Sequence, residues 1–179
     1  MKKFLWLLVV TTTACAPGIQ TGRFYDNPVN YRVELPAQWV RVESAKHYMM
    51  TKDGPFTQYI LIQQRPLDKP FKHTKKVFNK GMLPQEAAEV VLDEIASDRF
   101  VMNFHLVENG PAKLGQYDGF RVVFTYKTKK GKAYKTIYHG LLKGDWFYSV
   151  RYNVSEKHDS LTAFETFEKV LSNFKIEEV

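Results

Sequence analysis

The sequence contains a single cysteine, Cys15, and no apolar run long enough to cross a membrane. A membrane-spanning helix needs about 20 apolar residues, whereas the apolar segment near the start of the chain covers only residues 4–10. One cysteine excludes an intramolecular disulfide and a zinc site built from several thiolates. The sequence also lacks an internal repeat and a glycine-rich phosphate loop. These absences exclude several common classes of protein.

The beginning of the chain has the order of an export signal. Basic residues at 2–3 precede the short apolar segment, and small residues at 13–14 follow it, directly before Cys15. The segment 12–15 resembles a lipoprotein signal-peptidase site, although Thr12 stands where leucine is usual. We therefore expect cleavage before Cys15 and lipid attachment to its sulfur and its new amino group.

This lipoprotein prediction divides the chain into a signal peptide at 1–14, a lipidated tether at 15–29 and a single α+β domain at 30–179. Each buried methylene contributes about 0.8 kcal/mol, so several acyl chains anchor the protein stably. Ala16, rather than aspartate, follows the cysteine. That predicts the outer membrane, facing the periplasm, or the outer face of the cell membrane in an organism with one membrane.

Two alternatives remain open for this segment. Ordinary signal-peptide cleavage at the small-x-small site 14–16 would leave Pro17 as the first residue, and proline directly after the cut makes a poor substrate. An uncleaved membrane anchor is opposed by the short apolar core.

Alternating apolar residues predict an antiparallel meander over 119–128, 133–142 and 146–154, joined by glycine-containing turns. The opposite face of these strands is also partly apolar, so we expect both faces of the sheet to be covered. The residues that indicate this are Val123, Ile137, Leu141 and Phe147. Further strands are expected at 31–35, 38–42, 46–51, 57–66, 104–108 and 112–115, the last two broken by 109–111.

Apolar residues three and four apart predict helices at 84–98 and 156–173, and a shorter helix is expected at 72–80. Pro84 suits the first turn of its helix. The predicted buried stripes are Ala88, Val91, Leu92, Ile95 and Ala96 in one helix and Leu161, Phe164, Phe167, Leu171 and Phe174 in the other. Helices combined with two-sided strands predict an α+β fold, a central antiparallel β-sheet flanked by helices on both faces.

The segment 31–39, Tyr-Arg-Val-Glu-Leu-Pro-Ala-Gln-Trp, resembles the opening hairpin of the PsbP/Mog1-like family. The segments 119–123, 144–148 and 167–174 follow in the order of that family. The resemblance implies an αβα sandwich, and some prokaryotic members are exported and lipid-anchored. Known members mostly bind other proteins: one group docks on photosystem II and another binds a small GTPase. The resemblance implies neither partner here and transfers no binding residue.

The side chains that could carry chemistry do not form a recognisable catalytic or metal motif. The five histidines are His47, His73, His105, His139 and His158, and none has a metal-ligand spacing. His139 and Asp145 lie across a predicted turn and could approach each other, but no nucleophile accompanies them. The carboxylate pairs Glu89 with Asp93 and Glu165 with Glu168 fit solvated helix faces, beside the buried stripes rather than in a cleft. We expect no enzyme activity, no cofactor and no metal.

In a chain of net charge +7, two lysine clusters are better candidates for a binding site than the histidines or the carboxylate pairs. A helix at 72–80 would place Lys72, Lys76 and Lys80 on one face, and the turn between the first two meander strands carries Lys129, Lys130 and Lys132. Their partner would be phospholipid, an acidic protein or an anionic wall polymer, or the lysines serve solubility alone. Nucleic acid is not expected, because the clusters lack interleaved aromatic residues for base stacking.

These observations predict a non-enzymatic binding or accessory subunit that is held at the membrane and docks on an envelope protein of unknown identity. The alternatives are a module that binds an anionic surface through its lysines, and a hydrolase whose active site is not local in sequence. Some meander tyrosines could form the docking face.

Overall fold

The computed structural model describes residues 30–34, 36–42, 47–159 and 161–177, with backbone alone at 161–163. The predicted signal peptide and tether lie outside these residues. The described strands are β1 (Tyr31–Arg32), β2 (Val40–Arg41), β3 (Tyr48–Thr51), β4 (Gln58–Pro66), β5 (Met102–Leu114), β6 (Tyr117–Lys127), β7 (Ala133–Lys143), β8 (Trp146–Ser155) and β9 (Lys175–Ile176). The helices are α1 (Pro84–Ala96) and α2 (Leu161–Ser172), with a short 3-10 helix at Glu156–His158.

The main sheet has seven strands in the order β2-β3-β4-β8-β7-β6-β5, and every neighbouring pair is antiparallel. The predicted meander is confirmed as β6, β7 and β8, joined by tight turns. Strand β8 lies in the middle of the sheet because β4 adds to its other side. The short strands β1 and β9 pair with each other in a separate two-stranded sheet.

One face of the main sheet packs against α2 and the first residues of the domain. Tyr31 and Trp39, at the two ends of the segment that resembles the opening hairpin, are both buried in this core. The ring of Tyr31 stacks on Phe174, directly after α2, with 5.7 Å between centroids. Strands contribute the alternate residues Ile60, Ile62, Val123, Ile137, Leu141, Val150, Tyr152 and Val154. The apolar residues on this face of the sheet are therefore covered, as the sequence predicts.

The other face packs against α1 and the loop that precedes it. Buried residues of α1 are Ala87, Ala88, Val90 and Val91, so the stripe lies slightly N-terminal of the predicted one, and Ala96 is exposed. They cover Phe120, Val122, Phe124, Tyr138 and Phe147 from the sheet. With a helix on each face, the structure confirms the predicted α+β sandwich.

Three details differ from the sequence predictions. Strand β5 is continuous through residues 109–111, because Pro111 stands on an edge strand where its missing N–H leaves no bond unmade. Helix α2 begins at Leu161 rather than near 156. Residues 72–80 form turns and irregular backbone instead of a helix.

Candidate functional site

The loop at 71–78 is held by a carboxylate, not by helical hydrogen bonds. Glu94, on α1, accepts hydrogen bonds from the backbone N–H groups of His73 and Thr74 and from the Thr74 hydroxyl, at 2.9–3.1 Å. Although partial burial raises the pKa of Glu94, these three donors outweigh it and leave the pKa below its ordinary value. Lys75 adopts a left-handed conformation, with φ of 61°. Local donors therefore fix a loop where lysine spacing alone predicts a helix.

The first lysine cluster does not form a shared basic face. Lys76 forms an ion pair with Asp93, and Lys80 forms one with Asp145. Lys72 is exposed, and its backbone carbonyl accepts a hydrogen bond from Lys75. The prediction that these lysines share a helix face is wrong, and acids of the same chain offset two of the three charges.

The second lysine cluster lies at the turn between β6 and β7. The turn is closed by the N–H of Thr128, which donates to Lys132 at 2.9 Å, and Gly131 has a φ of 77° that favours glycine. The ammonium of Lys129 lies 4.9 Å from the centroid of the Phe100 ring, and that of Lys132 donates to the carbonyl of Phe56. None of the cluster lysines at this turn forms an ion pair among the described residues. Their charge therefore remains available to a partner.

Exposed apolar side chains flank this turn on both sides. Phe56 is 79% exposed, Phe100 is 52% exposed and Met102 is 46% exposed. The hydroxyl of Tyr134, at the start of β7, donates to the carbonyl of Phe56 at 2.8 Å and so ties the β3–β4 loop to the turn. We call this surface the distal surface; it comprises Phe56, Phe100, Met102, Lys129, Lys130 and Lys132.

The distal surface lies at the end of the sheet opposite the start of the domain. Asn30 donates its backbone N–H to Gln64 and accepts a hydrogen bond from the hydroxyl of Tyr148. Gln64 and Tyr148 are partners near the β7–β8 turn. Strand β7 spans 11 residues between the β6–β7 turn and the β7–β8 turn. About 33 Å therefore separates the distal surface from the end of the sheet that contacts Asn30. The two predicted lysine clusters cannot act as one surface, since Lys80 contacts Asp145 at the β7–β8 turn.

Sequence reasoning missed Phe56 and Phe100 because both lie in loops, where no periodicity marks a side chain as exposed. Beside the lysine clusters, it suggests only that some meander tyrosines could form a docking face. Tyr134, Tyr138, Tyr148 and Tyr152 are each at most 6% exposed, so that hypothesis is wrong for these four. An aromatic residue beside a glycine or a charged turn is the only signal that could have indicated the exposed pair.

The histidines are dispersed over the structure. His139 and Asp145 do not approach each other: His139 is buried among residues of the α2 face, whereas Asp145 pairs with Lys80 at an exposed turn. His73 lies 3.9 Å from a carboxylate oxygen of Asp98, and the ring of His158 shares a hydrogen bond with Ser155. Within the described ranges, no three His, Cys, Asp or Glu side chains are grouped so as to hold a metal ion.

Burial, and to a lesser extent the positive charge of Arg121, lowers the pKa of His139 to about 4. The backbone of Lys113 opposes this shift but stays outside hydrogen-bond geometry, since neither ring nitrogen has a partner. The ring packs edge-on against Phe167. His139 is therefore a neutral core side chain at neutral pH.

A cleft of about 420 Å³ runs beside α1 and contains Glu89 and Asp93, which the sequence places outside any cleft. Asp93 is engaged by Lys76, and the neighbouring Glu86 accepts a hydrogen bond from the backbone N–H of Leu83 at 2.8 Å. Glu165 and Glu168 are exposed on α2. Neither predicted carboxylate pair thus provides two free groups that face each other across a substrate-sized gap.

The predicted lipidation residue, Cys15, lies outside the described residues. No helix in the described part of the chain is both long enough and apolar enough to cross a bilayer.

No model of a known protein family matches the sequence, and no curated protein matches it either. Solved structures do match. Cyanobacterial PsbP (CyanoP) from Synechocystis aligns with a TM-score of 0.57 at 11% identity, over 92% of this chain and 98% of that one. LpqN of Mycobacterium tuberculosis, involved in cell envelope biogenesis, aligns with a TM-score of 0.56 at 10% identity, over 87% of this chain and 89% of that one.

The Ran-binding protein Mog1p of Saccharomyces cerevisiae aligns with a TM-score of 0.53 at 10% identity, over 82% of this chain and 90% of that one. The chain also spans 46% of a longer Bacteroides thetaiotaomicron protein. The protein therefore has the PsbP/Mog1-like fold that the segments at 31–39 and 144–148 resemble. At such low identity the likeness concerns the fold alone.

Proposed function

We propose that the protein is an exported lipoprotein, anchored through Cys15, that docks its distal surface on an envelope protein as a non-enzymatic accessory subunit. The order of basic, apolar and small residues before Cys15 supports export and lipidation. The named roles of two structural neighbours, Ran binding and cell envelope biogenesis, are compatible with a binding function in the envelope. Fold alone does not fix function, so the argument depends on the surface itself.

The observation that carries the proposal is the composition of the distal surface. Exposed phenylalanine side chains beside lysines that pair with no acid of the described residues resemble the centre and rim of a protein interface, where aromatic residues contribute much of the binding energy. Phe56 and Phe100 would supply the apolar contacts. Lys129 and Lys130 would steer an acidic partner and set the rate of association.

The position of this surface favours a protein partner over the membrane that would hold the anchor. The first described residue, Asn30, lies at the opposite end of the sheet. The predicted lipid anchor joins the domain through Asn30, at the end of the sheet about 33 Å from the distal surface. The distal surface is then presented away from the membrane, toward other envelope components.

Site-specific photo-crosslinking in intact cells tests the proposal. A photoreactive amino acid at Phe56 or at Phe100 should capture the same envelope protein. Leu83 provides the matched control: it is also apolar, 61% exposed, and lies at the other end of α1, about 20 Å away. A partner captured equally well from Leu83, or none captured from the two phenylalanines, would contradict the assignment of this surface.

The anchor is tested separately. Cys15→Ser should abolish incorporation of labelled fatty acid and move the protein from the detergent phase to the aqueous phase in phase partitioning. Labelling that persists in the variant would show that another residue carries the lipid, and an unlabelled wild-type protein would favour ordinary signal-peptide cleavage.

A further inference from the structure

The α1 face of the sheet is covered over only part of its width. Helix α1 packs chiefly on β5, β6 and β7. Phe147 is the β8 residue in that core, and β3 and β4 contribute none. Beyond Phe147 the same face of β8 and β4 carries Ser149, Arg151, Asn153, Tyr59, Leu61 and Gln63, which alternate with residues of the opposite core. We call these six residues the open half-face; Tyr59, Gln63 and Arg151 are partly exposed, whereas Leu61, Ser149 and Asn153 are buried.

Arg151 lies at the centre of the open half-face on the middle strand of the sheet. Its neighbours across the ladder are Leu61 on β4 and Tyr138 on β7. The guanidinium carbon lies 5.6 Å from the ring centroid of Tyr59. The Nε atom is inaccessible to solvent and has no hydrogen-bond partner, and among the described residues no carboxylate forms an ion pair with Arg151.

An arginine in this position is unusual on physical grounds. The guanidinium keeps its charge at all relevant pH values, and a partly buried charge without a partner destabilises a fold. Arg121, by comparison, is partly buried on β6 and pairs with Glu108. Arg151, among the described residues, contacts the ring of Tyr59 and forms no such ion pair.

The surroundings of Arg151 are rich in hydrogen-bonding groups, and no acid of the described residues forms an ion pair with it. The Tyr126 hydroxyl donates to Asn153 at 3.1 Å, and the Tyr138 hydroxyl bonds with Ser149. Arg65 brings a second guanidinium to the same face, stacked 3.8 Å from the Phe71 ring centroid. The carboxylate near Arg65, Glu94, is already engaged by the 71–78 loop. The face is thus cationic and aromatic, with fixed hydroxyl groups between its charges.

We propose that the open half-face binds an oxyanion, the carboxylate or phosphate group of a small molecule, with Arg151 as its principal contact. The planar fork of the guanidinium matches the two oxygens of such a group, and the Tyr59 ring holds the fork in one orientation. The charge of Arg151, which no acid of the described residues pairs with, is then balanced by the ligand. This site is separate from the distal surface and does not depend on the docking proposal.

Titration of the full-length protein in a neutral detergent, followed by NMR of the arginine Nε–H signals, tests the site. The probes are inorganic phosphate, acetate and benzoate. We expect a saturable shift of the Arg151 signal with at least one of them. Phosphate alone would indicate a phosphate ligand; benzoate in preference to acetate would indicate a flat carboxylate that stacks on Tyr59.

Three variants make the test specific. Arg151→Met should remove saturable binding, whereas Lys130→Met, which removes an equal charge from the distal surface, should leave it unchanged. Arg151→Lys should weaken binding about tenfold, because an ammonium lacks the bidentate fork. No saturable shift with any probe, or equal losses in Arg151→Met and Lys130→Met, would overturn the proposal.

Thermal unfolding gives an independent measurement. Because Arg151 is an unpaired, partly buried charge, Arg151→Met should unfold at a temperature at least as high as the wild type without ligand. Probe at saturating concentration should raise the unfolding temperature of the wild type but not of the variant. A variant that unfolds several degrees lower would show that Arg151 stabilises the sheet and would contradict a role in ligand binding.

Discussion

His139 is a titratable side chain inside an apolar core, and its position makes the fold sensitive to acid. Its pKa in the folded protein is about 4, below the ordinary value of 6.5 that the unfolded chain would show. Between these values the unfolded state binds a proton that the folded state does not, so the free energy of unfolding falls as the pH drops from 6.5 to 4. The shift corresponds to about 3 kcal/mol at most.

We expect His139→Leu to remove most of this pH dependence. Denaturant unfolding at pH 7 and pH 4.5 should show that the wild type loses about 2 kcal/mol more than the variant does. The control is His105→Leu, since His105 is exposed on β5. If His139→Leu and the wild type lose the same stability on acidification, His139 is not the residue responsible.

Gly119 is a second position where a single residue determines the packing, because there is no room for a side chain. A Cβ atom there would lie 2.2 Å from the carbonyl oxygen of Gly140, on the neighbouring strand β7, which is too close for any real contact. Backbone cannot move aside as the end of a flexible side chain can. The glycine is therefore required by the close approach of β6 and β7.

Gly119→Ala should lower the free energy of unfolding by roughly 2 kcal/mol or more, in the range of other overpacked positions. Gly110→Ala is the matched control, because a Cβ atom at Gly110 meets nothing within 4 Å. Its effect should stay within about 0.5 kcal/mol. Chemical denaturation of both variants measures the difference, and equal losses would contradict this account of Gly119.

At the scale of elements, the 71–78 loop depends on a single carboxylate. Glu94 has a pKa below its ordinary value because it accepts hydrogen bonds from His73 and Thr74. The stabilisation is present above the unfolded pKa of the carboxyl group and is lost as the pH falls through the lower, folded pKa. Protonation of Glu94 at acid pH should therefore release the loop.

Glu94→Gln should release the loop without unfolding the sheet. In the wild type, three donors share the two carboxylate oxygens of Glu94, whereas the neutral amide of glutamine offers a single acceptor oxygen. Hydrogen exchange should show about tenfold less protection at the amides of His73 and Thr74, and trypsin should cut faster at Lys72 and Lys75. Glu89→Gln, an exposed change on the same helix, is the control. Unchanged protection in Glu94→Gln would show that other contacts hold the loop.

The elements that the sequence predicted correctly have strong local periodicity. Strands β6, β7 and β8 alternate over ten or more residues each, and Pro84 marks the first residue of α1. The 72–80 segment failed because its lysine spacing has a helical period while its backbone donors reach Glu94, 20 positions away. Strand β5 was divided because Pro111 indicates a break, and nothing local reveals that this strand lies at an edge.

At the scale of the whole molecule, the candidate site could be predicted only in part. A charged turn in the sequence predicts Lys129 and Lys130, and neither forms an ion pair with an acid of the described residues. Their association with Phe56 and Phe100 depends on how the β3–β4 loop and the α1–β5 connection meet at one end of the sheet. Such contacts join positions more than 25 residues apart, and periodicity along the chain does not contain them.

The fold also places the distal surface and the open half-face in different parts of the molecule. The distal surface lies at one end of the strands, Asn30 at the other, and the open half-face between them beside α1. A tethered domain with this layout can bind a partner at its far end while a small ligand occupies the sheet. The open half-face and the distal surface should then tolerate each other's mutations, since Arg151 and Lys130 share no contact.

Capture of the partner in intact cells tests the central claim most directly. The wild-type protein is crosslinked, purified under denaturing conditions and compared by quantitative mass spectrometry with Lys129→Glu plus Lys130→Glu, and with Lys72→Glu as a control for charge alone. The account predicts one dominant envelope protein whose yield falls at least severalfold in the double variant and not in the control. Recovery of lipid or wall material alone, or a partner whose yield is unchanged by the double variant, would contradict it.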